Sequence, residues 1–111
     1  MKDRFSEYRI MWVLVLFDLP TETKKDRKIA ARFRKDLIED GFTMFQFSIY
    51  LRHCASAESA DVHKARIRKI LPEKGKVTIM RITDKQFEDM EVYECQKQPP
   101  QRPHAIQLEL F

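Results

Sequence analysis

Hydrophobic and polar positions change their period several times along the chain, and each change marks a predicted element. Residues 10–17 (IMWVLVLF) are continuously apolar and rich in branched and aromatic side chains. Such a run predicts a strand that is buried on both faces and lies at the centre of a sheet. Asp18 follows directly, and Pro20 closes the strand because it holds the preceding residue extended.

A helix is predicted next. Its buried stripe recurs at helical spacing and consists of Ile29, Ala30, Phe33 and Leu37. Thr21 or Thr23 can cap its start, and Asp26 stands three residues after Thr23, as in a capping box. Gly41 is the predicted stop, because glycine adopts positive φ without strain.

Residues 42–53 alternate with a period of two, which predicts extended structure. The face assigned to the core carries Phe45, Phe47, Ile49 and Leu51. The more polar face carries Met44, Gln46, Ser48, Tyr50 and Arg52. Because twelve residues exceed an ordinary strand, a turn near residues 48–51 is expected to divide the segment in two.

The second half of the chain predicts a helix over residues 57–71, a strand over 76–83, a short helical turn over 84–90 and a short strand over 91–95. The second helix buries Ala60, Ile67, Ile70 and Leu71, with His63 as a hydrogen-bonded histidine at the core edge. Three prolines in residues 96–103 then exclude a continuous helix or central strand.

This order predicts an α+β, ferredoxin-like βαββαβ sandwich with additional C-terminal strands. Residues 1–96 form the predicted nucleic-acid-binding domain, and 97–111 a proline-rich arm that ends in a strand over 105–111. An apolar strand on such a tether needs a sheet edge, which a two-fold partner can supply, so a symmetric dimer is expected. The alternative is that the arm pairs with its own sheet.

Composition narrows the class of protein. The chain of 111 residues is 43% hydrophobic and 34% charged, as in one globular domain. No apolar run approaches the roughly 20 residues of a membrane helix, and no secretory signal precedes the first strand. With two cysteines and no CxxC spacing, free thiols in the cytoplasm are expected.

Net charge is +4, and the placement of the cations is more informative than the total. The first helix carries the candidate nucleic-acid-binding residues Lys24, Arg27, Lys28, Arg32 and Lys35. Lys24, Lys28, Arg32 and Lys35 share one helix face, which suits contact with a phosphate backbone. A merely solvated face is the equally weighted alternative.

Asp18 is the candidate catalytic and metal-binding residue. A carboxylate at the end of a buried strand is costly unless it is solvated, paired or bound to a metal. One carboxylate alone suits Mg²⁺ poorly, whereas two brought together by dimer symmetry suit it better. The alternative is an aspartate that caps the turn before Pro20.

The segments FDLP, TETKKDRKIAARFRKDLIEDGF, QFSIY and KGKVTIMRITDKQFEDM, in that order, resemble the CRISPR-associated Cas2 family, in the branch that accompanies Cas9. The resemblance implies a ferredoxin-like two-fold dimer that bridges Cas1 integrase dimers and binds duplex protospacer DNA during spacer acquisition. It also implies an alternative activity, a metal-dependent endonuclease on RNA or DNA. Asp18 matches the family's strand-end aspartate, and Gln46 and Ser48 match its second-strand motif.

Three functions are consistent with these features. The first is a DNA-binding adaptor in CRISPR adaptation, and the second is an Mg²⁺-dependent phosphodiesterase that uses paired Asp18 carboxylates. The third is a regulatory domain that binds a small molecule on the same fold, because fold does not fix function.

Overall fold

The computed structural model describes residues 10–96. These residues fold into one four-stranded sheet and three helices. The elements in chain order are β1 (Met11–Asp18), α1 (Lys24–Glu39), β2 (Thr43–Gln46), β3 (Ile49–Cys54), α2 (Ala57–Arg68), β4 (Lys76–Thr83) and α3 (Asp84–Glu88). The predicted βαββαβ order is confirmed, and the strand predicted over 76–83 has the bounds expected.

The four strands pair antiparallel in the order β2-β3-β1-β4, so the apolar run of β1 lies at the centre as predicted. Side chains of β1 alternate between two faces. One face, with Val13 and Val15 fully buried, packs against α1 and α2. We call the other the open face; across its strands lie Trp12, Leu14, Leu16, Asp18, Ile49, Leu51, Thr78, Met80 and Ile82.

The helix boundaries follow from the predicted signals. Thr23 caps α1, and its hydroxyl and the Asp26 carboxylate complete a reciprocal capping box. Gly41 ends the helix at φ +92, a conformation that disfavours side chains with a Cβ. Phe33 and Leu37 are buried as expected, whereas the prediction for Ile29 is wrong, since 39% of it is exposed at the margin of the stripe.

The predicted division of residues 42–53 is confirmed. The predicted core face is wrong for Phe47, which is exposed, whereas Leu51 is buried at 9% exposure and Phe45 and Ile49 are half-buried. The turn falls at Phe47 and Ser48, and Ser48 has φ +67. This turn and a register shift between Met44 and Gln46 reverse the facing of β3. Tyr50 therefore enters the core at 3% exposure, while Phe47 is 79% exposed.

The strand predicted over residues 91–95 does not form. Residues 91–96 have no regular structure, and Val92 and Tyr93 are 58% and 76% exposed. Alternating hydrophobicity alone does not produce a strand in this segment, because a strand also needs a sheet edge with which to pair. The arm over 97–111, including its predicted terminal strand, lies outside the described residues.

A polar network joins the end of α1 to α2. Asp40 accepts hydrogen bonds from His63 and Arg66, each at 2.8 Å, and its carbonyl accepts one from Arg52 at 2.8 Å. His63 is buried and hydrogen-bonded, as predicted. Burial raises the pKa of Asp40, but hydrogen bonds and charges from His63 and Arg66 outweigh burial and hold the pKa below its usual value.

We expect Asp40→Ala to lower the free energy of unfolding by about 2 kcal/mol, because it leaves His63 buried without its partner. The folded pKa of Asp40 lies below the unfolded one. The stabilisation is therefore full above the unfolded value, about pH 4, and is lost as pH falls through the folded pKa. Urea unfolding of wild type and variant at pH 7 and pH 3 measures the effect.

The matched control is Asp61→Ala, which breaks the 3.1 Å ion pair with Arg81 at a residue whose side chain is 62% exposed. An exposed pair contributes less than about 1 kcal/mol. Equal losses in the two variants at pH 7 would contradict a special role for the Asp40 network.

Candidate carboxylate site and nucleic-acid interface

Asp18 ends β1 opposite Lys76 and lies on the open face, in register with Leu16 two residues earlier. The residue is exposed. None of the hydrogen bonds or ion pairs found within residues 10–96 engages its carboxylate, so the alternative of a turn cap finds no support in that range. Both oxygens of Asp18 are accordingly free to bind a ligand.

Gly75 fixes the backbone at this strand end. It has φ +94, and a Cβ placed on it would lie 2.7 Å from the Asp18 carbonyl oxygen and 2.8 Å from Leu19 Cδ2. A side chain at this position would collide with the backbone that carries Asp18. The close approach explains why a glycine stands immediately before β4.

The two residues of the second-strand motif lie at the same end of the sheet as Asp18. Gln46 pairs with Ile49, which pairs in turn with Leu16 of β1. The Ser48 carbonyl accepts a hydrogen bond at 3.0 Å from the amide of Phe17, the neighbour of Asp18. Backbone contacts of the motif therefore hold the β2–β3 turn beside the strand end that carries Asp18.

The five candidate cations of α1 are all exposed, as predicted. Two of them have partners: Arg27 donates to the carbonyls of Thr21 and Glu22, and Arg32 pairs with Asp36 at 3.3 Å. Lys24, Lys28 and Lys35 have no carboxylate partner among residues 10–96. These three, which we call the α1 lysines, are available for a polyanion.

Asp18 and the α1 lysines do not converge within one protomer. The carboxylate lies on the open face, whereas α1 packs on the opposite face of the sheet through Ala30, Phe33 and Leu37. The site predicted from the sequence is therefore two surfaces, one cationic and one carrying a carboxylate.

The sequence prediction missed Arg34 and Phe47. The Arg34 guanidinium lies 5.5 Å from the centroid of the Phe47 ring and 6.0 Å from that of Phe17. Periodicity predicts that Phe47 lies in the core, and no feature of the sequence distinguishes Arg34 from the other cations of its helix.

Within residues 10–96, no three histidine, cysteine or carboxylate side chains converge on a potential metal position. A search of the same residues finds no helix both long and apolar enough to span a bilayer. The two cysteines are free thiols, with Cys54 buried and Cys95 exposed.

The antiparallel sheet with α1 and α2 on one face defines a ferredoxin-like α+β protein. A solved structure described as the crystal structure of Cas2 shares this fold, with a TM-score of 0.54 and 22% identity over 84% of this chain and 97% of that one. The family described as "CRISPR associated protein Cas2" matches residues 11–90. The chain belongs to this family, as the sequence motifs indicated.

Close relatives cover nearly the whole chain. A protein of Flavobacterium psychrophilum is 58% identical over 97% of this chain and 94% of its own length. One of Parvibaculum lavamentivorans is 54% identical over 91% of this chain and 100% of its own. Both are named CRISPR-associated endoribonuclease Cas2.

Proposed function

We propose that this chain acts as a dimeric adaptor in CRISPR adaptation, where it binds duplex protospacer DNA and bridges Cas1 integrase dimers in the cytoplasm. Membership of the Cas2 family supports the CRISPR role. The observation that carries DNA binding is the set of α1 lysines, exposed and without carboxylate partners in the described residues. Lysine heads on a helix surface contact phosphates and carry no sequence preference.

The open face supports the symmetric dimer. Both main helices cover the opposite face, and α3 packs only at the Trp12 end of the open face, through a stack of Trp12 on Phe87 at 4.0 Å. Met80, at the middle of β4, remains 42% exposed, whereas Leu14 and Leu51 on the same face are 7% and 9% exposed. Two open faces that pack against each other bury this apolar surface in an isologous interface, and Asp18 of each copy lies on the face that is shared.

The salt dependence of duplex binding tests the adaptor. Two copies present six α1 lysines, and neutralising about six phosphates gives a log–log slope of affinity against salt near −5. Fluorescence anisotropy of a labelled duplex, titrated from about 50 to about 300 mM NaCl, measures this slope. A slope near zero would contradict backbone recognition by the helix surface.

A second candidate, a metal-dependent endonuclease, is favoured by the free carboxylate of Asp18 and by the names of the relatives. One carboxylate with no second ligand in the described residues does not complete an Mg²⁺ site. Two Asp18 carboxylates across the proposed dimer, with waters, would fit that ion. Bound there, Mg²⁺ would supply an activated water and stabilise charge on the phosphate, while Asp18 holds and orients it.

A further inference from the structure

The β2–β3 turn exposes an aromatic ring that the hydrophobic core does not use. Phe47 is 79% exposed, although a buried phenylalanine contributes about 2 kcal/mol to folding. Its backbone is held firmly: Ser48 occupies φ +67, and the Ser48 carbonyl binds the Phe17 amide at 3.0 Å. This hydrogen-bonded turn therefore presents an apolar ring to solvent next to the strand end of Asp18.

Arg34 lies beside the Phe47 ring. Its guanidinium lies 5.5 Å from the Phe47 centroid and within 6.0 Å of the Phe17 centroid, as in cation–π contacts. No ion pair or hydrogen bond within residues 10–96 uses its guanidinium. The donors of Arg34 are therefore free, while its position is fixed by the two rings.

We propose that Phe47 and Arg34 form a binding site for one unpaired nucleotide of a single-stranded nucleic acid. The base stacks on the exposed side of the Phe47 ring, and the adjoining phosphate accepts hydrogen bonds from Arg34. Bases in a duplex already stack on one another, so the ring selects an unpaired strand. This site is separate from the α1 lysines proposed to contact a duplex.

Charge favours a nucleic acid over an apolar protein surface at this position. Arg34 brings a cation to the margin of the ring, in a chain with net charge +4. An apolar partner would have to desolvate the guanidinium without a compensating anion, which is costly. A nucleotide offers both the flat apolar surface and the anion.

The test compares full-length variants by fluorescence anisotropy with labelled single-stranded DNA, single-stranded RNA and duplex DNA of about 12 nucleotides, a length within the range of small single-strand sites. EDTA is present so that no strand is cut. We expect Phe47→Ala to weaken binding of both single strands about tenfold, as loss of one stacked base predicts, with duplex affinity unchanged. Phe47→Tyr, which keeps the ring, should retain wild-type affinity.

The matched control is Ile38→Ala, which truncates a 57% exposed apolar side chain elsewhere on α1 and should change none of the affinities. Unaltered single-strand binding by Phe47→Ala would overturn the proposal, as would an equal loss for the duplex. So would dissociation of a wild-type dimer by Phe47→Ala in light scattering, because the ring would then belong to a subunit interface. Duplex binding by the wild-type protein tests the proposed adaptor function separately from the single-strand site.

Discussion

Asp18→Ala is expected to reduce any Mg²⁺-dependent cleavage of single-stranded RNA by at least about a hundredfold. Metal-ion catalysis contributes several kcal/mol to transition-state stabilisation, and each 1.4 kcal/mol corresponds to about a factor of ten in rate. Asp18 is the carboxylate at the end of β1, is exposed, and has no partner within residues 10–96. Cleavage of a labelled RNA, with and without Mg²⁺, measures the effect.

The same variant distinguishes the two proposed functions. Because Asp18 is exposed and its side chain supports no contact in the described residues, Asp18→Ala should fold normally and bind duplex DNA as the wild type does. Asp61→Asn, which also removes an exposed carboxylate, is the control and should cleave normally. Undiminished cleavage by Asp18→Ala would exclude the paired-carboxylate mechanism.

Spacer acquisition in cells gives a second measurement on Asp18→Ala. Loss of acquisition while the proposed complex with Cas1 still assembles would favour catalysis. Unchanged acquisition would favour the adaptor and leave Asp18 without a role in integration.

Replacing Lys24, Lys28 and Lys35 together by glutamine is expected to weaken duplex binding about a thousandfold at low salt. The change removes six phosphate contacts from a dimer, and a protein with six contacts loses about this much affinity between 50 and 200 mM salt. The salt slope should approach zero at the same time. Anisotropy titrations over a series of salt concentrations measure both quantities.

A control with the same change of net charge replaces Lys64, Lys69 and Lys85 by glutamine. Lys64 lies on α2, Lys69 at its C-terminal end and Lys85 on α3, so none of the three belongs to α1. If binding responds to net charge alone, the two triple variants will weaken equally, and the proposed α1 interface will be wrong. A steep slope that persists in the α1 variant would contradict it as well.

The fold was predictable where the hydrophobic pattern leaves one answer. The run that forms β1 has no polar face, which predicts a position between two neighbouring strands, and β1 lies between β3 and β4. Thr23 marks the start of α1 and Gly41 its end, because capping depends on residue types that can be recognised locally in the sequence. Which face of β3 enters the core could not be predicted, because the turn at Ser48 and the register shift between Met44 and Gln46 exchange the two faces without changing the alternation in the sequence.

The candidate site was predictable only in part, for a similar reason. Asp18 follows a buried run, so its position at a strand end can be derived from sequence. Arg34 differs from its neighbours only by its contact with Phe47, thirteen residues on, and that contact requires the folded turn. Likewise, the sequence does not show which cations of α1 have partners. In the structure Arg27 and Arg32 are engaged, and the α1 lysines have no carboxylate partner in the described residues.

Trp12 gives the protein an intrinsic optical probe. It is the single tryptophan of the chain, it lies on the open face, and its indole Nε1 donates to Asp84 at 2.8 Å. Because Trp12 is only half-buried beneath Phe87, the proposed dimer covers the rest of it, and dilution should shift the emission of this indole to longer wavelength as the subunits separate. The midpoint of that shift gives the association constant of unlabelled, unmodified protein.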